Sequence, residues 1–78
     1  MEIKILGKND EAQNALYRIT KQAVEELGLG NIAIMKENIT TLPYYDILHL
    51  PTLIINGKLV STYKKLNLEE IKSILLQQ

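Results

Sequence analysis

The 78 residues predict an α/β fold in the order β-α-β-α-β-β-α, a four-stranded mixed sheet covered by helices. Three observations lead there. A short aliphatic run stops at Gly7 and passes into a segment with helical spacing. A second aliphatic run follows that helix after a brief connection, which makes a parallel crossover unit. Later, two β-branched and aliphatic runs flank Asn56-Gly57, the dipeptide that favours a two-residue type I′ hairpin.

Each element has its own warrant. Glu2 to Leu6 alternates charged and aliphatic residues before running apolar, and reads as the first strand. Leu16, Ile19, Ala23, Val24 and Leu27 recur at intervals of three and four, with Arg18, Lys21, Gln22 and Glu25 on the opposite side. That is an amphipathic helix of about five turns ending at Gly28. Asn31 to Lys36, "NIAIMK", reads as a second strand, apolar on both faces and therefore well covered. From Asn38 to Leu48 the pattern weakens. Asn38 suits a helix cap, but Pro43 would remove a hydrogen bond, so a short or broken helix is expected. The hairpin around Asn56-Gly57 follows. The last helix opens on Asn67 as N-cap, with Glu70 completing a capping box and Leu66 stapled to Ile71. Its apolar stripe is Leu68, Ile71, Ile74 and Leu75.

Composition removes several function classes. Nine basic and nine acidic residues are interspersed and give zero net charge, so no basic face is offered to nucleic acid or to an anionic membrane. There is no cysteine, which excludes disulfide staples, thiolate metal sites and thiol chemistry within the chain. The start, "MEIKILGKN", is too short and too charged for a signal peptide, and no apolar run approaches membrane-spanning length. The expectation is one cytoplasmic domain over residues 1–78, without internal repeat or linker. With no excess charge to keep molecules apart, self-association is compatible with the composition.

One stretch is specific. "YDILHLPTLIINGK", Tyr45 to Lys58, resembles the thioredoxin-family segment Tyr-Gly-Ile-x-x-hydrophobic-Pro-Thr-Leu that leads into a strand and an Asn-Gly turn. The chain as a whole is similar to the small prokaryotic, glutaredoxin-like "redox-active disulfide protein" family of that superfamily. The resemblance implies a thioredoxin-like fold and a cis peptide bond at Leu50-Pro51 facing the active site. It also implies a Cys-x-x-Cys pair at the first strand–helix junction. Here Asp10 stands at the nucleophilic position and Gln13 at the resolving one, and Asp46 replaces the glycine after Tyr45. A carboxylate and an amide cannot accept two electrons reversibly, so the family's redox activity does not carry over.

The candidate residues divide accordingly. Asp10 suits a helix N-cap, with Gln13 reaching back to its N–H; the alternative is that Asp10 and Glu11 form an anionic surface selecting a partner. Around Pro51, the resemblance implies that Leu50 offers backbone groups to an extended peptide, or else that the proline only shapes the loop. His49, the only histidine, reads as a loop residue; paired with Asp10 it would still lack a third metal ligand or a nucleophile. Tyr45 is expected to pack on the core, with Tyr44 turned outward and Lys64-Lys65 a solvated pair.

The leading functional expectation is a redox-inactive binding module. Its groove would be formed by the Lys8–Gln13 junction and the Leu50–Thr52 loop, with Asp10, Gln13, Leu50, Pro51 and Thr52 as the site residues, a protein or extended peptide as partner and a homodimer as the simplest case. No catalytic residue, metal or cofactor is expected. The alternative is a thiol–disulfide oxidoreductase that draws its cysteines from elsewhere. An enzyme using Asp10 and His49 ranks last, because no phosphate-cradling loop, nucleophile elbow or carboxylate pair accompanies them.

Overall fold

The computed structural model describes residues 1–39, 50–62 and 65–78. Its elements are β1 (Ile3–Gly7), α1 (Glu11–Glu26), β2 (Ile34–Asn38), β3 (Thr52–Ile55), β4 (Lys58–Thr62) and α2 (Leu68–Leu76). The helix expected between Asn38 and Leu48 falls, beyond Ile39, outside the described residues, as do Pro43, Tyr44, Tyr45, Asp46, His49 and Lys64. Asn38 itself is the last residue of β2.

The four strands form the expected mixed sheet in the order β2-β1-β3-β4. β1 runs parallel to β2 and antiparallel to β3, and β3 runs antiparallel to β4. Because side chains alternate along a strand, the β1–β3 register sets Ile3 beside Ile55 and Ile5 beside Leu53 on one face. All four are fully buried. They share a core with Leu16, Ala23 and Val24 of α1, with Ile71 and Leu75 of α2, and with Leu66. Burial of each large aliphatic side chain stabilises the fold by roughly 1.5–3 kcal/mol relative to exposure.

The local signals form as chemistry requires. Asn56 and Gly57 both have positive φ, 53° and 80°, as a type I′ turn needs. Asn56 also holds the start of β1: its N–H donates to Glu2 O at 2.8 Å, and its Oδ1 accepts from Glu2 N at 2.9 Å. β4 carries a bulge, since Ser61 faces Leu53 while Leu59 faces Ile54, leaving Val60 as the extra residue. Such an irregularity blunts an exposed edge against further strand pairing. Leu27 caps α1 and Gly28 follows at φ 63°. Gly28 N donates to Glu25 O and Leu29 N to Val24 O, which closes the helix in a Schellman motif. At α2 both capping-box bonds are made, Glu70 N to Asn67 Oδ1 at 2.8 Å and Asn67 N to Glu70 Oε1 at 3.0 Å. Leu66 and Ile71 are both buried in the core, as the staple predicts.

The second strand differs from expectation. It begins at Ile34, not Asn31, and Met35 to Asn38 are exposed. The reason is its place in the sheet. β2 pairs only with β1 and forms an edge, so Ile32 and Ile34 touch the core while Met35 faces outward, 41% exposed.

An ion pair joins the two helices: Lys72 Nζ lies 2.5 Å from Glu26 Oε1. This bond to Lys72, aided by one from Gln22, holds the Glu26 carboxyl below its ordinary value. The same bond raises Lys72 above its own. The Glu26 contribution is therefore complete above the ordinary carboxylate value of 4.5 and disappears as pH falls through the lowered folded value. The Lys72 contribution is complete below 10.5 and disappears as pH rises through the raised folded value. Glu26→Gln is expected to lower the thermal midpoint near neutral pH, with the difference from wild type vanishing in acid; melts across pH check this. A separate change, Asn67→Ala, is expected to cost about 1 kcal/mol in urea unfolding through loss of the cap.

Candidate functional site

The junction between β1 and α1 is built around one side chain. Asn9 sits at φ 58°, a left-handed conformation that asparagine tolerates better than most residues, and this turns the chain from strand to helix. Asp10 follows in extended conformation as N-cap, its Oδ1 accepting from Gln13 N at 3.0 Å. Gln13 then points inward and is 2% exposed. Its amide nitrogen donates to Ile5 O at 3.0 Å and to Glu37 O at 3.2 Å, and its oxygen accepts from Asn9 N at 2.9 Å. Both amide donors are thereby satisfied in the interior, where an unmet polar group is costly.

The capping role of Asp10 is therefore observed, but the return bond from Gln13 to the Asp10 N–H is not. Gln13 reaches one residue further, to Asn9, because its nitrogen is committed to the carbonyls of β1 and β2. Gly7 makes this possible. A Cβ at Gly7 would lie 2.6 Å from Cδ and 2.7 Å from Cβ and Cγ of Gln13, closer than atoms can approach.

Beside this junction lies a groove of about 530 Å³. Among the described residues it is lined by Glu11, Ala12, Ala15, Leu16 and Ile19 of α1, by Leu50 and Pro51, and by Lys65 and Leu66 before α2. Positions 12, 15, 16 and 19 fall on one helical face, and the two alanines leave a depression there. The Leu50–Pro51 peptide bond is cis. Among the described lining residues, carbon-only side chains dominate, and the charged ones are Glu11 and Lys65. Glu11 there is bonded by Arg18 at 2.6 Å, while Lys65 is exposed.

The five residues expected at the groove are placed differently from one another. Leu50 and Pro51 line it. Asp10 is exposed at the helix cap next to Glu11 and does not line it. Gln13 and Thr52 are buried, at 2% and 0% exposure, and present no side chain to a partner. Ala12 lies within the expected Lys8–Gln13 junction, whereas Ala15 and Lys65 were not expected at the groove, and Leu16, Ile19 and Leu66 were assigned to helix packing alone. Extending the helical stripe back from Leu16 and Ile19 by one turn reaches both alanines. Among the described residues, the lining carries no Ser, Thr, Cys or His, and no three His, Asp or Glu side chains converge on a metal position.

The family model described as "Thioredoxin domain" matches residues 1–76 of the chain. No curated protein matches it. Among the described residues, no helix is long and apolar enough to cross a membrane.

The close approach of α1 to β1 is directly testable. Gly7→Ala is expected to lose about 1–3 kcal/mol of stability by overpacking. Because the Cβ of residue 13 is itself within 2.7 Å, Gln13→Ala should not relieve that loss. Alone, Gln13→Ala is expected to cost roughly 2–4 kcal/mol, since two strand carbonyls and the Asn9 N–H lose their partner. Urea denaturation of the two single variants and the double variant measures all three.

Proposed function

The chain belongs to the thioredoxin-domain family, and on that premise we propose that it is a redox-inactive binding module for an extended protein or peptide segment. The observation that carries this reading is the apolar groove between α1, the Leu50–Pro51 loop and Leu66, beside a junction without a thiol. At that junction Asp10 caps the helix and Gln13 is locked into the sheet. Neither side chain is available for electron transfer, and neither needs to be for binding. In thioredoxin folds the loop before such a proline offers backbone groups to an added strand, and Leu50 occupies that place here. This is analogy at the level of the fold; the groove's own walls supply the argument for binding. The module is taken to act in the cytoplasm, without cofactor, and the segment it binds comes from another protein or from a second copy.

Two measurements test this. In an insulin-reduction assay with dithiothreitol the protein is expected to show no turnover above buffer; measurable turnover overturns the redox-inactive part. Peptides selected from a displayed random library on the immobilised wild type are expected to lose binding to Ala12→Trp, which fills the groove from an exposed helical position. Equal retention by both proteins would place binding on another surface.

A further inference from the structure

We propose that Asn56-Gly57 is a modification site, at which the Asn56 side chain deamidates through a cyclic imide, and that a hydrogen bond from Glu2 restrains the reaction. The chain's own geometry carries this. Asn56 is the one asparagine that is followed by glycine, the residue whose backbone nitrogen is least hindered as a nucleophile. Both residues are exposed at the tip of the hairpin. Nothing lies within 4 Å of the place that a Gly57 Cβ would occupy, and among the described residues neither Gly57 N nor Asn56 Nδ2 makes a hydrogen bond. The attacking and the leaving nitrogen are thus both open to water. Against them stands a clamp from the residue before β1. Asn56 Oδ1 accepts from Glu2 N at 2.9 Å while Asn56 N donates to Glu2 O at 2.8 Å.

The reaction needs no cofactor. Gly57 N attacks Cγ of Asn56, its proton passes to Nδ2, and Nδ2 leaves as ammonia. Water then opens the imide at either carbonyl, giving aspartate or isoaspartate at position 56. One water is consumed and one ammonia released, and no electron changes hands. Because the carboxamide is held on Glu2, Cγ reaches Gly57 N only when that bond opens. The two products differ in what they leave of the fold. Aspartate keeps an oxygen for Glu2 N and keeps the two-residue turn. Isoaspartate runs the main chain through the former side chain and adds a methylene, so the tight turn and the Ile55–Lys58 pairing beside it no longer fit. The corner where β3, β4 and the start of β1 meet is then loosened.

The test incubates the full chain in mildly alkaline buffer and follows the mass gained when an amide becomes a carboxyl, located by peptide mapping. Isoaspartate is scored by methyl transfer from a purified isoaspartyl methyltransferase. The wild type is expected to gain mass first at Asn56, with isoaspartate among the products and a lower thermal midpoint in the isoaspartate fraction. Glu2→Pro removes the N–H that holds Oδ1 and is expected to react severalfold faster, whereas Glu2→Ala keeps that N–H and should match the wild type. Retention of Met1 is checked by intact mass and folding by circular dichroism. Asn67→Ala, which weakens the fold at a distant cap, should also react at the wild-type rate. Unfolding the wild type in urea breaks the same clamp and is expected to accelerate the reaction. Deamidation that begins at another asparagine overturns the site. Equal rates for wild type and folded Glu2→Pro, equal acceleration by Asn67→Ala, or equal rates in the folded and unfolded wild type overturn the restraint by Glu2.

Discussion

Two strand carbonyls, Ile5 O and Glu37 O, face the first turn of α1, and the buried amide of Gln13 satisfies both. The same amide receives the N–H of Asn9, so one side chain ties together β1, β2 and the connection that starts the helix. This fixes how closely α1 can approach the sheet. Gly7 is the matching concession on the strand side, because any Cβ there would collide with Gln13. The rest of the site depends on that contact. With α1 held by its N-terminal turn, Leu16 enters the core while Ala12 and Ala15 remain at the surface as the wall of a groove.

This arrangement explains how a thioredoxin-type junction stays stable without sulfur. A reactive thiol at a helix start needs exposure and a lowered pKa. Here the corresponding residues serve the fold. Asp10 satisfies a free helical N–H and suits the positive end of the helix. Gln13 is withdrawn into the interior. What remains open is the apolar space beside the Leu50–Pro51 loop, bounded by residues that hold shape and carry no reactivity.

Much of the fold was legible because its signals are local. Asn56-Gly57, the Asn67–Glu70 box, the Leu66–Ile71 staple and the glycine ending of α1 each need only a few residues to act, and all form. The second strand was misread because "NIAIMK" has the aliphatic content of a buried strand, while its exposure is set by which neighbours the sheet gives it. The site was legible only in part. The sequence motif pointed to Leu50 and Pro51, but position alone suggested that Gln13 and Thr52 faced a partner. Burial, a tertiary property, took both away. Ala15 carries no signal of its own in the sequence, because alanine marks a groove by what it lacks.

The central claim of the proposed function is that a partner binds in this groove and not at the β1–α1 junction itself. The most direct measurement is a titration of isotope-labelled protein with a peptide selected on the wild type, followed by amide chemical shifts. The account predicts saturable shifts at Ala12, Ala15, Ile19, Leu50 and Leu66, with the exposed edge of β4 around Leu59 left unchanged. Shifts concentrated on β4 or β2, with the α1 wall silent, would contradict it.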